Sequence, residues 1–454
     1  MATDINDTLD ILGQQPFFLR MYTPMCLCFP VADPSSHPAI ISTLTSGLER
    51  LSASFPWIAG QVVQEGLSEG NSGVFKIKPF EEIPHFVVKD LRDDPSIPTM
   101  EALRRNHFPL SDSIIAPSKI RPDEFTTACT PVLLLQANFI SGGLLLTFLG
   151  QHNAMDIMGQ DQVMHLFSKA CRGEQFTEEE LTSGNIFNHS YFVPPLDESY
   201  KPGSELDFLN LHASPPISDS TNIEPPRPPK VVLTNFAFSS TSLAALKSLA
   251  TDTMTLPAGG YISTDDALTA LIWKSVTRAR LPRCDSTTES TLYRAVDVRD
   301  YMGISPTYTG HVQTGTYGTY AFQKLLEEPL GAVASHLRSA LDPKTLVYKT
   351  RAFATFLGRS PNKMAIFFMM KLNLSAGLVL SSWVKVKSYE LDFNLGLGIP
   401  EAVRRPHFDG LESMTVMMPK TPDGEIVVSI PLREEDMERL KADEEFMKYA
   451  THIG

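Results

Sequence analysis

Cysteine is scarce. Five residues in 454, Cys26, Cys28, Cys129, Cys171 and Cys284, are too few and too scattered for a disulfide framework or a zinc site, so no metal is expected. Cys26 and Cys28 alternate within an apolar run, which suits a strand better than a ligand pair, and a reducing cytoplasmic compartment is expected. Basic charge is also short: 39 Lys and Arg stand against 52 Asp and Glu, a net charge of −13. Such a surface repels phosphate backbones and anionic lipid, so neither nucleic acid nor a membrane surface is expected as a partner. The segment Met1–Asp7 is polar and acidic, without the basic and apolar regions of a secretory signal. One apolar stretch, Met364–Val384, approaches membrane-spanning length, but Lys371, Asn373, Ser375 and Gly377 interrupt it and it reads as core strand. Phosphate loops, paired zinc ligands and dinucleotide fingerprints are absent.

What remains is an ordinary globular composition, 43% hydrophobic and 20% charged, in a chain long enough for two cores. The pattern breaks over residues 191–230. Tyr191-Phe192-Val193-Pro194-Pro195 opens this stretch and Pro215-Pro216, Pro225-Pro226 and Pro228-Pro229 follow, so it reads as an extended crossover linker. Residues 1–190 and 231–454 then form two lobes, each with a strand–helix–strand rhythm, which makes the class α/β. In the first lobe, helical spacing predicts a helix over Ile40–Phe55. Strands Val132–Phe139 and Leu144–Leu149 are joined by the hairpin signal Ser141-Gly142-Gly143, and Gln160–Cys171 reads as a helix. In the second, a strand over Val231–Phe238 precedes a helix over Ser242–Leu249. Ser263-Thr264-Asp265-Asp266 caps a helix reaching Arg280, with the acids suited to its dipole. Strands Met414–Met418 and Glu425–Ile430 flank Pro422-Asp423-Gly424, and a helix over Arg433–Tyr449 closes the chain.

Three segments are candidates for chemistry. Gly66-Leu67-Ser68-Glu69-Gly70 matches the nucleophile elbow of serine hydrolases in form only. It lies between polar residues, without the strand before and helix after that would strain the serine, and reads as a loop. His152-Asn153-Ala154-Met155-Asp156 follows directly on a core strand. About one His-x-x-x-Asp arises by chance in a chain with eleven histidines, and the bland reading is a histidine with an ordinary acidic neighbour. Its place counts for more, because a polar cluster interrupts an apolar segment at a strand end, where sites are built. Leu391-Asp392-Phe393-Asn394-Leu395-Gly396-Leu397-Gly398, after Ser381-Ser382-Trp383, reads by itself as a strand end and turn.

Taken in order along the chain, these pieces resemble the BAHD family of acyl-CoA-dependent acyltransferases, and within it the fungal trichothecene 3-O-acetyltransferases. The resemblance also rests on Phe55-Pro56-Trp57-Ile58-Ala59-Gly60, Lys169-Ala170-Cys171-Arg172, Ile272-Trp273-Lys274-Ser275 and Arg294-Ala295-Val296-Asp297-Val298-Arg299. It implies a two-lobed fold of chloramphenicol-acetyltransferase type with a channel between the lobes, and His152 at the channel's centre as general base. It implies that Asp156 turns away to pair with Arg299, and that Asp392, Gly396 and Gly398 are structural. Trp383 is implied as oxyanion donor, Ser381 as a wall beside the pantetheine arm, and Ser263 and Thr264 as phosphate contacts, which Asp265 and Asp266 oppose.

Asn153 and Asn394 stand where relatives favour Gly, and Leu395 replaces an aromatic. Asn tolerates left-handed backbone, but Asn153 beside the base bears on the acceptor. The expected function is transfer of acetyl from acetyl-CoA, as co-substrate, to a hydroxyl of a small secondary metabolite, foremost the C-3 hydroxyl of a trichothecene, in biosynthesis or detoxification. The enzyme is expected to be a monomer. The alternatives are another natural-product alcohol or an amine as acceptor, or a binding protein that has lost catalysis.

Overall fold

Strands Leu133–Ile140 and Gly143–Gln151 pair antiparallel across a tight turn in which Gly142 takes φ 79°, a conformation that favours glycine. The computed structural model describes residues 5–80, 86–110, 130–185, 192–209, 229–366, 372–406 and 411–453. The hairpin lies inside a five-stranded sheet ordered Ala402–Arg404, Tyr22–Pro30, Gly143–Gln151, Leu133–Ile140, Phe86–Asp90. Both its faces are covered, which is why the two strands read as unbroken apolar runs. On Tyr22–Pro30 the alternation shows directly. Met25, Leu27 and Phe29 face the main core with helices His37–Ser54 and Ile157–Cys171, while Cys26 and Cys28 face a smaller core with Met100 and Leu103.

The second sheet has seven strands, ordered Gln313–Ala321, Glu289–Asp297, Leu378–Ser382, Met414–Met417, Ile426–Arg433, Val231–Phe238, Thr451–Ile453. Leu378–Ser382 runs parallel to both neighbours and the other pairs are antiparallel. Helix Thr264–Arg280 begins at a capping box made by Ser263 and Asp266 and is buried on nearly all sides, with Trp273 in the core.

The two halves interlock. Ala402–Arg404, from beyond the linker, pairs with Tyr22–Pro30 and forms the edge of the first sheet. Trp383 and Phe393 likewise pack into the first core. A small sheet of Asp7–Thr8, Val74–Pro79 and Gly60–Glu65 flanks them. Ser68 lies in the connection between its last two strands, bonded through its backbone to Asn71, with no helix after it.

Several expectations need correction. Of Met364–Val384, only Leu378–Ser382 is strand, and residues 367–371 lie outside the described residues. The closing helix breaks into Glu434–Lys441 and Glu444–Met447, because the Asp443 carboxylate accepts from the Glu445 and Phe446 N–H groups and starts a second helix. Within the linker, Ser204–Leu209 is a 3₁₀ helix rather than extended chain. Its Leu206 and Leu209 join a core with helix Pro343–Arg359. The proline pairs from Pro215 to Pro226 and Pro228, and Cys129, fall outside the described residues.

Candidate active site

His152 is the first residue past strand Gly143–Gln151, and the chain turns there under the control of Gln151. The Gln151 carbonyl oxygen of the side chain accepts from the Asn153 and Ala154 N–H groups at 2.8 and 3.0 Å, and its amide donates to the Phe18 and Leu19 carbonyls. The His152 N–H donates to Met21 O at 2.9 Å. Its ring Nδ1 lies 3.3 Å from Met155 O. A carbonyl can only accept, so Nδ1 carries the proton and Nε2 is left as the basic nitrogen. Burial holds the His152 pKa below its usual value, with the Arg405 cation adding to this and the Asp156 charge opposing it. The ring is therefore neutral near pH 7.

The ring lines a cavity of about 70 Å³ between the two sheets, walled by Phe17, Phe18, Met21, Tyr293, Val379 and Met414, with Ser381, Trp383 and Arg405 among its polar-bearing side chains. Phe18 packs on His152 with ring centroids 4.6 Å apart.

Asp156 does not bond to His152. Its carboxylate caps helix Ile157–Cys171 through the Gly159 N–H at 2.8 Å. The other oxygen accepts from Arg299 Nη1 at 2.9 Å and from the Val312 N–H at 2.7 Å. Burial, the largest single effect, would raise its pKa, but the Arg299 charge and the hydrogen bonds from Arg299 and the Gly159 N–H together outweigh it and hold the carboxyl below its ordinary range. Arg299 is equally committed, donating to Asp297 and to the Tyr308 and Gly310 carbonyls.

The indole N–H of Trp383 donates to Ser381 Oγ at 3.0 Å. The indole proton expected to meet the oxyanion is thus engaged by the Ser381 hydroxyl in this structure, and Ser381 Oγ stands beside it in the cavity wall. Ser263 and Thr264 are not in the cavity wall. The Ser263 hydroxyl bonds Asp266, Asp266 pairs with Arg294 and Arg338, and Asp265 pairs with Arg294 and accepts from Ser382. The two acids opposing an anion there are thus already compensated.

Asp392 and its glycines form a pinned turn. The Asp392 carbonyl accepts from Ser168 Oγ and Arg172, and its carboxylate accepts from the Asn394 N–H. Asn394, Gly396 and Gly398 have φ of 56°, 73° and 70°, and a Cβ at either glycine would meet nothing within 4 Å. Those glycines serve backbone conformation, not space.

Asn153, beside the base in sequence, is not in the cavity wall. It is fully buried with its amide on the Gly13 and Gln15 carbonyls at 2.5 and 2.9 Å, and it does not have positive φ. It ties the N-terminal segment to the loop.

Two residues escaped the sequence reading. Arg405 follows the edge strand Ala402–Arg404, with its guanidinium 5.8 Å from the Trp383 ring centroid, and burial pulls its pKa down to about 9. Strand alternation explains the divergence of the two arginines, since Arg404 turns to the Val403 and His107 carbonyls. His311, 1% exposed, places Nδ1 2.8 Å from the carbonyl oxygen of His152. No spacing marks either residue in the sequence.

A trichothecene 3-O-acetyltransferase-like N-terminal domain model matches residues 21–171, and a transferase family model matches residues 110–447. Among similar curated proteins, an O-acetyltransferase of Cryptosporiopsis sp. is 55% identical over 99% of this chain and 98% of its own length. The trichothecene 3-O-acetyltransferase of Fusarium sporotrichioides is 50% identical over 98% of this chain and 97% of its own. The crystal structure of the latter organism's TRI101 with coenzyme A and T-2 superposes with a TM-score of 0.91 at 48% identity, covering 100% of both chains. Vinorine synthase superposes with a TM-score of 0.65 at 17% identity, covering 98% of this chain and 94% of its own, which shows a shared α/β fold.

Proposed function

The chain belongs to the transferase family, with a trichothecene 3-O-acetyltransferase-like N-terminal domain, and on that premise we propose that it transfers acetyl from acetyl-CoA to a hydroxyl of a compact apolar natural product. The C-3 hydroxyl of a trichothecene is the foremost acceptor, because curated relatives 50% and 45% identical are named for that reaction.

The observation that carries the mechanism is a neutral His152 with Nδ1–H on Met155 O, lining a cavity with Ser381 and Arg405. Its Nε2 takes the proton of the acceptor hydroxyl as that oxygen bonds to the thioester carbonyl carbon, and the C=O electrons move to the carbonyl oxygen. The Ser381 hydroxyl, oriented by the Trp383 N–H, donates to that oxyanion, and Arg405 adds positive charge nearby. On collapse the C–S bond breaks, and Nε2–H returns the proton to the leaving thiolate. The products are the acetate ester and CoA. Asp156, Arg299, Asp392, Gly396 and Gly398 hold the framework. The wall contains the groups that a thioester carbonyl needs, a base, a hydroxyl donor and a cation, whereas Ser263, the cap of helix Thr264–Arg280, and Thr264, its first residue, would meet a phosphate only at that helix start.

A drug-sized ligand takes roughly 300–1,000 Å³, so a sesquiterpenoid exceeds the cavity of about 70 Å³ beside His152 and would extend beyond it or displace its walls. A different natural-product alcohol is the second reading, favoured by the 55% identical relative, whose name specifies no trichothecene. Among the described residues no helix is long and apolar enough to cross a membrane. A cytosolic monomer, serving biosynthesis or detoxification, completes the proposal. An acetyl-CoA assay over a panel of trichothecenes and unrelated alcohols, scored by product mass, tests it. Acetylation confined to non-trichothecene alcohols would replace the first acceptor with the second, and no acetylated product at all would end the proposal.

A further inference from the structure

Asp156 is fully bonded away from His152, which leaves open how its pairing with Arg299 bears on the base. A route is visible in the segment 308–312. Arg299 Nε donates to Tyr308 O at 3.2 Å and Nη2 to Gly310 O at 2.6 Å, while the Val312 N–H donates to Asp156 at 2.7 Å. Helix Ile157–Cys171 presses on the same segment through Gly159, where a Cβ would come within 2.1 Å of Thr309 O. Asp10 closes the other side, accepting from the Tyr308 hydroxyl and the His311 N–H at 3.2 Å each. The segment is thus held at every residue from Tyr308 to Val312. What it presents to the site is His311, whose Nδ1–H reaches the His152 carbonyl at 2.8 Å.

We propose that His311 is a positioning residue for acyl transfer, its neutral imidazole fixing the His152 peptide carbonyl and carrying to the base the constraint set by Asp156 and Arg299. With the His152 N–H held by Met21 O, the His152 peptide is then clamped at both ends. The carbonyl forces the Nδ1–H tautomer, and His311 Nε2 is buried with no hydrogen-bond partner among the described residues. A second proton there would add a cation beside His152, their ring centroids being 5.1 Å apart. Burial, together with His152 and Arg299, lowers the His311 pKa to about 3, opposed by the Asp156 charge. Asp10, Tyr308, His152, Asp156 and Arg299 are the titratable groups facing it, and its ring also packs on Phe18 at 4.9 Å. The ring therefore stays a donor of fixed direction wherever His152 is a working base.

This inference rests on the proposed acetyl transfer, and its test separates the two. His311→Asn keeps an N–H at about the reach of Nδ1, whereas His311→Leu fills the space without a donor. With equal melting temperatures, Leu is expected to lower kcat by about 10²-fold with both KM values unchanged, the cost of a small misplacement of a catalytic group. Asn is expected to stay within a few-fold of wild type. Wild-type turnover in His311→Leu, or equal losses in both variants, would overturn the proposal. Long-range proton–nitrogen NMR of the histidine-labelled wild-type enzyme needs neither a folded variant nor an acceptor. It should show His311 as the Nδ1–H tautomer with no titration across the working pH range. An Nε2–H tautomer, or titration alongside His152, would refute it even if the acceptor panel succeeds.

Discussion

Replacing Asp156 with Ala removes three accepted hydrogen bonds at once, and those to Gly159 and Arg299 alone set a floor on the cost. The helix cap on the Gly159 N–H is worth about 1 kcal/mol. Breaking a buried ion pair costs about 3–5 kcal/mol when the partner is left uncompensated. Arg299 keeps Asp297 at 2.9 Å, which places the loss at the lower end. A total of about 4 kcal/mol corresponds to a fall in Tm of roughly 4 °C, at about 1 °C per kcal/mol for a chain of 454 residues. The effect should depend on pH. A carboxyl whose pKa is lowered by folding contributes stability that is complete above its unfolded value of about 3.9 and lost as pH falls through the folded value. The gap between wild type and variant is therefore widest near neutrality and narrows in acid. Thermal melts by circular dichroism at several pH values provide the assay. A variant that melts with wild type at pH 7 but is inactive would refute the structural role and move Asp156 into the chemistry.

The acidic limb of the kcat/KM–pH profile should fall below the ordinary histidine value of about 6.5, because burial depresses the His152 pKa. Arg405→Gln should shift that limb upward and slow turnover, and an unmoved limb would detach Arg405 from the base. Ser381→Ala should cost about 10²–10³ in kcat, as for loss of one oxyanion donor. Trp383→Phe, which removes only the group orienting the serine, should cost less, and the reverse order in steady-state rates would return the donor role to the indole.

Local patterns made much of this legible. Helix Thr264–Arg280 was readable from its cap, and the hairpin at Ser141–Gly142 from its turn residues, because both signals act over a few positions. His152 stood out as a polar interruption at a strand end. The edge strand Ala402–Arg404 did not, since its partner lies some 375 positions away and three residues carry no period. Arg405 and His311 were hidden for the same reason: each reaches the site by strand pairing or segment packing, not by spacing. Ser381 was expected beside the pantetheine arm, but its bond with Trp383 required coordinates.

The most direct test compares wild type with His152→Ala in acetyl transfer from acetyl-CoA to the best acceptor, followed by product mass, with circular dichroism confirming that both are folded. Loss of the general base predicts a fall in kcat of about 10²–10⁴ with acetyl-CoA still bound. A folded variant that forms the acetate ester at the wild-type rate would contradict the account.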